Sequence, residues 1–291
     1  MVLTTVIWGA SFVAQTVGMD HVGPCTFQAV RCAMAFIGLL PIIFLFDLKK
    51  KDGKNFFTRF LDKKLLLGGL LCGIPLFAAT NLQQLALVST DAGKSAFLTS
   101  MYIVFTPIIG LFFRRKATIM TPISVLIAVA GLYCMSCVGV TTINQGDLLL
   151  LGCAVCFGLQ IVMVDLFAQD VDGLRLNCLQ ALICSVLSSV FMVSTETPSL
   201  TAIHGALLPL CYSGFLSMGI AYWLQILGQQ KLPATPAALI MSMESVFATV
   251  FGMVFLQERM TLWETVGCIL LFVAVILSQL PSPIKKKTKQ A

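Results

Sequence analysis

The chain has 291 residues, of which 58% are hydrophobic and only 11% are charged, with a mean hydropathy of +0.93 and a formal net charge of +6. This composition excludes a soluble domain or a pair of them, and it predicts an all-α integral membrane protein that crosses the bilayer many times. The modest positive charge gives no reason to expect a nucleic-acid partner, because membrane proteins carry excess cations in their cytoplasmic loops.

Ten apolar runs follow one another along the chain, each close to the roughly 20 residues that a bilayer-crossing helix needs. The first run begins at Met1 without the basic flank and cleavage site of a signal peptide, so we expect a retained helix. Whether residues precede Met1 is left open. We predict ten transmembrane helices, at residues 2–17, 24–46, 64–88, 92–113, 119–139, 147–168, 174–194, 204–229, 235–256 and 262–280.

The positions of the basic residues predict the orientation. Ten spans place both termini on the same side, and the positive-inside rule assigns that side to the cytoplasm. Of the 19 Lys and Arg residues, Lys94 and Arg259 fall on the outer side and Arg31 lies within a span. We therefore expect a multi-pass plasma-membrane protein with cytoplasmic termini. The remaining cations fall in the inner segments: Lys49, Lys50, Lys51, Lys54, Arg59, Lys63, Lys64, Arg114, Arg115, Lys116, Arg175, Lys231, Lys285, Lys286, Lys287 and Lys289.

Polar positions recur between two halves of the chain, residues 1–143 and 144–291. Because five spans is an odd number, the second half enters the membrane from the opposite side, which makes this an inverted-topology repeat. Such repeats place the substrate site at their interface. The matched positions are Trp8-Gly9 with Phe157-Gly158, Ser11 with Gln160 and Arg31 with Gln180 at a shift of 149 residues, Asn81 with Tyr222 and Gln84 with Gln225 at 141, and Tyr102 with Glu244 and Gly110 with Gly252 at 142.

The ninth run carries an acid, Glu244, near its centre. A charged carboxylate at that depth costs roughly 2.5 kcal/mol or more unless it faces protein or water. We predict that Glu244 lines a polar cavity at the membrane midplane, where it takes up and releases a proton. A buried acid that bonds to a neighbouring helix is the alternative. A separate face of small residues, containing Ser245 and Gly252, is typical of close helix packing.

Other polar and aromatic residues are predicted to complete a ring around this cavity. Arg31 lies within the second span, where it would hold a substrate carboxylate or, as the alternative, pair with another helix. Tryptophan and tyrosine side chains could supply walls with a polar tip for an amphiphilic ligand. The predicted substrate-binding ring consists of Trp8, Ser11, Gln15, Arg31, Asn81, Gln84, Tyr102, Gln160, Tyr222 and Glu244.

The sequence gives no reason to expect a metal or a cofactor. The two Cys-x-x-Cys pairs, at Cys134 and Cys153, have the spacing of a zinc ribbon but lie inside predicted spans. Gly93-Lys94-Ser95 lacks the first glycine of a P-loop. Uphill transport would therefore draw on an ion gradient.

Several short motifs resemble a known family. The chain reads I-W-G-A-S-F from Ile7, G-P-x-x-F from Gly23, M-E-S-V-F-A from Met243 and L-Q-E-R-M-T from Leu256. In this order and spacing they resemble the EamA-type, ten-helix members of the drug/metabolite transporter superfamily, along essentially the whole chain. Where the family commonly has L-E-P-V-F, this chain has Ser245 in place of the proline. The resemblance implies transport of amino acids, other small metabolites or drugs, often outward.

We thus predict a secondary active exporter of an amino acid or similar amphiphilic solute, with protons as the coupling ion, acting as a monomer or weak dimer in the lipid bilayer. A multidrug exporter is one alternative. A channel or scaffold, which would show leak conductance or a constitutive partner, is another. A membrane-embedded enzyme would need a catalytic pair or metal cluster, and no such set with credible spacing is present.

Overall fold

The computed structural model describes residues 1–49, 55–115, 120–136, 144–256 and 261–279. Over these residues it contains helices and no strand, which confirms the all-α prediction. Eight spans are long and apolar enough to cross a membrane. The fifth and tenth have shorter apolar cores, Thr121–Cys134 and Thr265–Ser278. The ten-helix fold is therefore confirmed.

Most spans are single helices, whereas the fourth, eighth and ninth are divided. Short helices, Phe56–Phe60 and Leu200–Gly205, lie in two of the connections. In chain order the spans are Val2–Met19, Pro24–Leu48, Lys63–Ala86, Ala92–Ser100 with Tyr102–Phe112, Met120–Ser136, Gln145–Phe167, Gly173–Thr195, Leu207–Cys211 with Tyr212–Ala221 and Tyr222–Gln229, Ala234–Met241 with Glu244–Leu256, and Leu262–Gln279. Some predicted features lie outside the described residues: Lys50, Lys51, Lys54, Lys116, Arg259, the four lysines of the C-terminal tail and most of the L-Q-E-R-M-T motif.

Polar side chains fix where several spans begin. The first amides of a helix have no partner within the helix, so a side-chain acceptor there stabilises the start. The Asp62 carboxylate accepts from the Lys64 and Leu65 amides at 2.7 and 3.2 Å. Asn144 and Asp147 form a reciprocal capping box at the start of the sixth span.

The helix packing follows an inverted two-fold repeat. The second span packs on the seventh and the fifth on the tenth, so each of these pairs joins two equivalent helices. The first span packs on the eighth and ninth, and the sixth packs on the third and fourth. Exchanging every span for its counterpart turns one set of contacts into the other. The prediction of two inverted five-helix repeats is therefore confirmed.

Two equivalent glycines show how closely this symmetry is kept. A Cβ placed on Gly9 would lie 2.6 Å from the Phe247 Cβ, and one on Gly158 would lie 3.1 Å from the Phe105 Cβ. A shift of 149 residues relates the glycines, and a shift of 142 relates the phenylalanines. The first span thus meets the ninth as the sixth meets the fourth.

The second and seventh spans are joined at both ends. At one end, the Glu196 carboxylate accepts from the Cys25 and Thr26 amides at 2.9 and 2.8 Å, and from the Thr26 hydroxyl at 2.6 Å. At the other end Arg175 forms an ion pair with Asp47. The 149-residue shift lays Thr26 on Arg175 and Asp47 on Glu196, so the two contacts are equivalent.

The fourth and ninth spans are interrupted at equivalent places. One break falls at Met101 and the other at residues 242–243, and the 142-residue shift lays Met101 on Met243. Discontinuous helices of this kind line the sites of many inverted-repeat transporters. The helices continue through Pro75 and Pro107, so neither break falls at a proline.

Candidate functional site

A cavity of about 30 Å³ lies next to the two helix breaks. Ligand pockets occupy roughly 300–1,000 Å³, so the site must widen to hold a solute. Both repeats contribute to the wall. The lining residues are Trp8, Ser11, Phe12, Gln15, Arg31, Gln83, Thr99, Tyr102, Phe157, Gln160, Ile161, Ser217, Tyr222, Gln225 and Glu244.

Most of the ring predicted from the sequence lies on this wall. The structure brings together Trp8, Ser11, Gln15, Arg31, Tyr102, Gln160, Tyr222 and Glu244. Residues from far apart in the chain thus meet around one space between the repeats, where inverted-repeat transporters place their site.

Asn81 and Gln84 of the predicted ring are not on the wall. The Asn81 amide donates to the Ser188 hydroxyl and the Phe77 carbonyl, both at 2.8 Å, and so faces the seventh span. Gln84 is 1% exposed, and its amide has no hydrogen-bond partner in the protein. Gln83 lines the cavity instead and donates to the Thr99 hydroxyl at 3.1 Å. A repeat match fixes the position along a helix but not the side that faces the cavity, because one residue turns the helix by about 100°.

The prediction omitted several lining residues: Phe12, Gln83, Thr99, Phe157, Ile161, Ser217 and Gln225. Signals for three of them were present. Thr99 lies on the same helical stripe as Tyr102, Phe157 matches Trp8, and Gln225 matches Gln84. Phe12 and Ile161 are ordinary apolar residues, and no sequence pattern distinguishes them from core.

Glu244 bonds directly to the residue that occupies its own position in the first repeat. The Tyr102 hydroxyl donates to the Glu244 carboxylate at 3.1 Å, and the Ser100 hydroxyl lies 3.4 Å from the same oxygen. The Ser100 and Ser245 hydroxyls are 2.7 Å apart. One carboxylate oxygen is therefore held by the fourth span.

Arg31 is a buried cation without a counter-ion among the described residues. It is 3% exposed, and its Nε and Nη1 have no hydrogen-bond partner. Both Arg31 and Glu244 line the cavity, but they do not form an ion pair. Unpaired charges are costly inside a protein, so an anionic group bound in the cavity would stabilise Arg31.

Aromatic rings form two sides of the cavity. The Trp8 and Tyr222 ring centroids are 4.8 Å apart, and those of Tyr102 and Phe157 are 6.3 Å apart. The Trp8 indole N–H is buried and has no partner. Flat apolar surfaces with a free donor at one edge suit a ligand that is partly apolar.

The eighth span reaches the cavity through a π-helix, Tyr212–Ala221. Segments of this kind are frequent at functional sites. The Asn177 amide donates to the Gly219 carbonyl at 2.7 Å and to the Met218 carbonyl at 3.3 Å. Ser217 and Tyr222, on either side of these carbonyls, line the cavity. Within the described ranges no three His, Cys, Asp or Glu residues are grouped closely enough to hold a metal ion.

Comparisons with known proteins agree with this geometry. A profile described as the EamA-like transporter family matches the chain twice, over residues 1–137 and 144–280. An uncharacterized transporter of Archaeoglobus fulgidus is 29% identical, over 96% of this chain and 84% of its own. The uncharacterized transporter YoaV of Bacillus subtilis is 24% identical, over 96% and 94%. A WAT1-related protein of Arabidopsis thaliana is 23% identical, over 95% and 88%.

A solved crystal structure of another protein has the same fold. It superposes with a TM-score of 0.77 at 15% sequence identity, covering 96% of this chain and 94% of that one. At this identity the likeness concerns the fold alone. Together with the apolar spans, the family match establishes a multi-pass membrane protein.

Proposed function

Because the chain belongs to the EamA-like transporter family, and is therefore a membrane transporter of small solutes, we propose that it exports amino acids or similar amphiphilic solutes in exchange for protons. The observation that carries this proposal is the buried, unpaired Arg31 on the wall of the central cavity. The aromatic walls would contact the apolar part of the cargo, and the acid Glu244 would carry the proton.

The cargo carboxylate binds at Arg31. Its Nε–H and Nη1–H groups lack partners, and guanidinium groups hold carboxylates through paired, charge-assisted hydrogen bonds. The free Trp8 indole N–H lines the same cavity. These donors favour an anionic group.

The amine end of the cargo requires acceptors, and the same cavity contains two. The side-chain oxygens of Gln15 and Gln225 are buried without a partner, and the two residues come from different repeats. An apolar cargo side chain would lie against the aromatic rings once the cavity has widened. A neutral amide oxygen binds an ammonium group without adding a second buried charge to the site.

Glu244 carries the proton. Only one of its oxygens is held by Tyr102 and Ser100, and Arg31 does not neutralise it. The two halves, residues 1–143 and 144–291, rock about the cavity and expose Glu244 to each side in turn. With cytoplasmic termini in the plasma membrane, inward proton movement then drives the cargo outward. The unit that acts is a monomer or a weak dimer.

Ligand-dependent stabilisation of the purified protein tests the cargo class. We expect L-leucine to raise Tm, and 3-methylbutylamine, which lacks only the carboxylate, to have a much smaller effect. Arg31→Met should weaken leucine binding about 10- to 100-fold, because a hydrogen bond to a charged group contributes roughly 1.5–3 kcal/mol. Lys231→Met is the matched control, since Lys231 is an exposed cation away from the cavity.

Other results would favour the alternatives. Stabilisation by lipophilic cations but by no amino acid would indicate a multidrug exporter. Steady ion current through a reconstituted bilayer without saturable solute flux would indicate a channel.

A further inference from the structure

Gln225 lines the cavity and is the meeting point of two chains of buried amide groups. We propose that its side-chain oxygen accepts the hydrogen bond of the cargo's amine, and that Asn177, Gln180 and Gln229 act as positioning residues that force this oxygen into the cavity. This proposal rests on the proposed function. In it, Gln225 makes the transporter selective for a solute with an N–H donor.

The first chain starts at main-chain carbonyls, which can only accept. The Asn177 amide nitrogen faces those of Met218 and Gly219, so its oxygen is free to accept from the Gln180 nitrogen, at 2.8 Å. The Gln180 oxygen then accepts from Gln160 at 3.3 Å.

The orientation of these amide groups also determines the orientation of the Gln225 amide. Because the Gln160 nitrogen is directed at Gln180, its oxygen remains to accept from the Gln225 nitrogen, at 3.1 Å. Amide nitrogen and oxygen look alike in shape, so an isolated glutamine has no preferred orientation. Here the carbonyls at the start of the chain select one orientation for every member.

The second chain of amide groups also requires the Gln225 nitrogen to act as a donor. The Gln229 nitrogen donates to the Ile161 carbonyl at 2.8 Å, and this contact also admits only a donor. The Gln229 oxygen must therefore accept, and it does so from the Gln225 nitrogen at 2.9 Å.

Both hydrogens of the Gln225 amide are thus used, which leaves its oxygen for the cavity. That oxygen is buried and has no partner among the described residues. Asn177, Gln180 and Gln229 are each no more than 1% exposed and are not on the cavity wall. A flip of Gln225 would break two hydrogen bonds in a buried site, and each buried polar group left unpaired costs about 1–3 kcal/mol.

The first repeat lacks this arrangement. Gln84 is equivalent to Gln225 but has no hydrogen-bond partner at either end of its amide. Gln28 is equivalent to Asn177 and donates to the Thr80 hydroxyl at 2.6 Å. Of the equivalent amides of Gln84 and Gln225, only that of Gln225 is held in one orientation. We therefore expect the second repeat to bind the amine.

A pair of probes isolates this contact: L-leucine and 4-methylpentanoate, which lacks only the amino group. We expect the wild-type protein to prefer leucine at least about 10-fold. Gln225→Met should lower the preference more than any other single variant, with Gln15 left as the other acceptor, while 4-methylpentanoate still binds. Gln229→Met, Gln180→Met and Asn177→Leu should each reduce it several-fold, and Gln225→Met/Gln229→Met should be no worse than Gln225→Met alone.

Gln28→Met is the matched control, because it removes an equally buried amide that is not connected to Gln225; it should keep the wild-type preference. If Asn177→Leu does not fold, Gln180→Met interrupts the same chain one step later. A preference that is undiminished in Gln225→Met overturns the assignment of the acceptor. A preference that survives in all three positioning variants overturns their role. Failure of leucine to bind the wild-type protein would instead contradict the proposed function.

Discussion

The contact between Tyr102 and Glu244 joins the two repeats at a single pair of equivalent residues. Their oxygens are 3.1 Å apart, and both residues directly follow a helix break. A phenol that donates to a carboxylate stabilises its charged form, and rocking of the halves would alter this distance. Proton uptake and movement of the helices can therefore be linked through one hydrogen bond.

We predict that Glu244→Gln retains cargo binding but loses transport driven by a pH gradient. The amide keeps the size of the side chain and can still meet the Tyr102 hydroxyl, but it cannot carry a proton. The measurement compares cargo exchange at equal pH with pH-driven accumulation in proteoliposomes. Asp91→Asn is the control, because Asp91 is an exposed acid away from the cavity. Full pH-driven accumulation in Glu244→Gln would assign the acid a structural role only.

Close helix approach at the two equivalent glycines gives a prediction for the elements. At Gly9 an added methyl group would meet the Phe247 Cβ at 2.6 Å and the Ala248 main-chain nitrogen at 2.8 Å, which no rotamer change relieves. At Gly158 the nearest atoms are at 3.1 and 3.2 Å. We expect Gly9→Ala to destabilise the protein by about 1–3 kcal/mol, and Gly158→Ala by less.

Thermal unfolding of the detergent-solubilised variants tests whether Gly9→Ala loses more stability than Gly158→Ala. Gly93→Ala is the control, since an added methyl group there would meet nothing within 4 Å and alanine favours helix over glycine. Equal loss at Gly9 and Gly158, or none at either, would contradict the close packing described here.

The elements also show where sequence reasoning was sufficient. Span number and helical class follow from hydropathy, because the bilayer requires long apolar helices whatever their packing. The breaks at Met101 and at residues 242–243 carry no proline, and the residues that follow them line the cavity. The side of a helix that faces the cavity is likewise a tertiary property, which is why Gln83 lines the wall and Gln84 does not.

Orientation in the membrane is a prediction for the whole molecule. With the termini in the cytoplasm, the connection between the second and third spans is inside and that between the third and fourth is outside. We expect a cysteine at Thr58 to resist an impermeant maleimide in intact cells, and one at Ser89 to react; both positions are exposed. The described native cysteines are buried or half-buried, so their background labelling should be low.

Permeabilised cells supply the control, because both cysteines should then react. The opposite pattern in intact cells would place the termini outside and reverse the assigned direction of transport.

The equivalence of Tyr102 and Glu244 also bears on how such a protein could arise from a shorter gene. If one half paired with an inverted copy of itself, the same residue would occupy both positions. Two tyrosines could not release and regain a proton at physiological pH, and two charged carboxylates would repel each other. Only after duplication and fusion can one copy keep a phenol while the other acquires an acid. The single hydrogen bond at the centre of this fold is thus a contact that a homodimer of halves could not make.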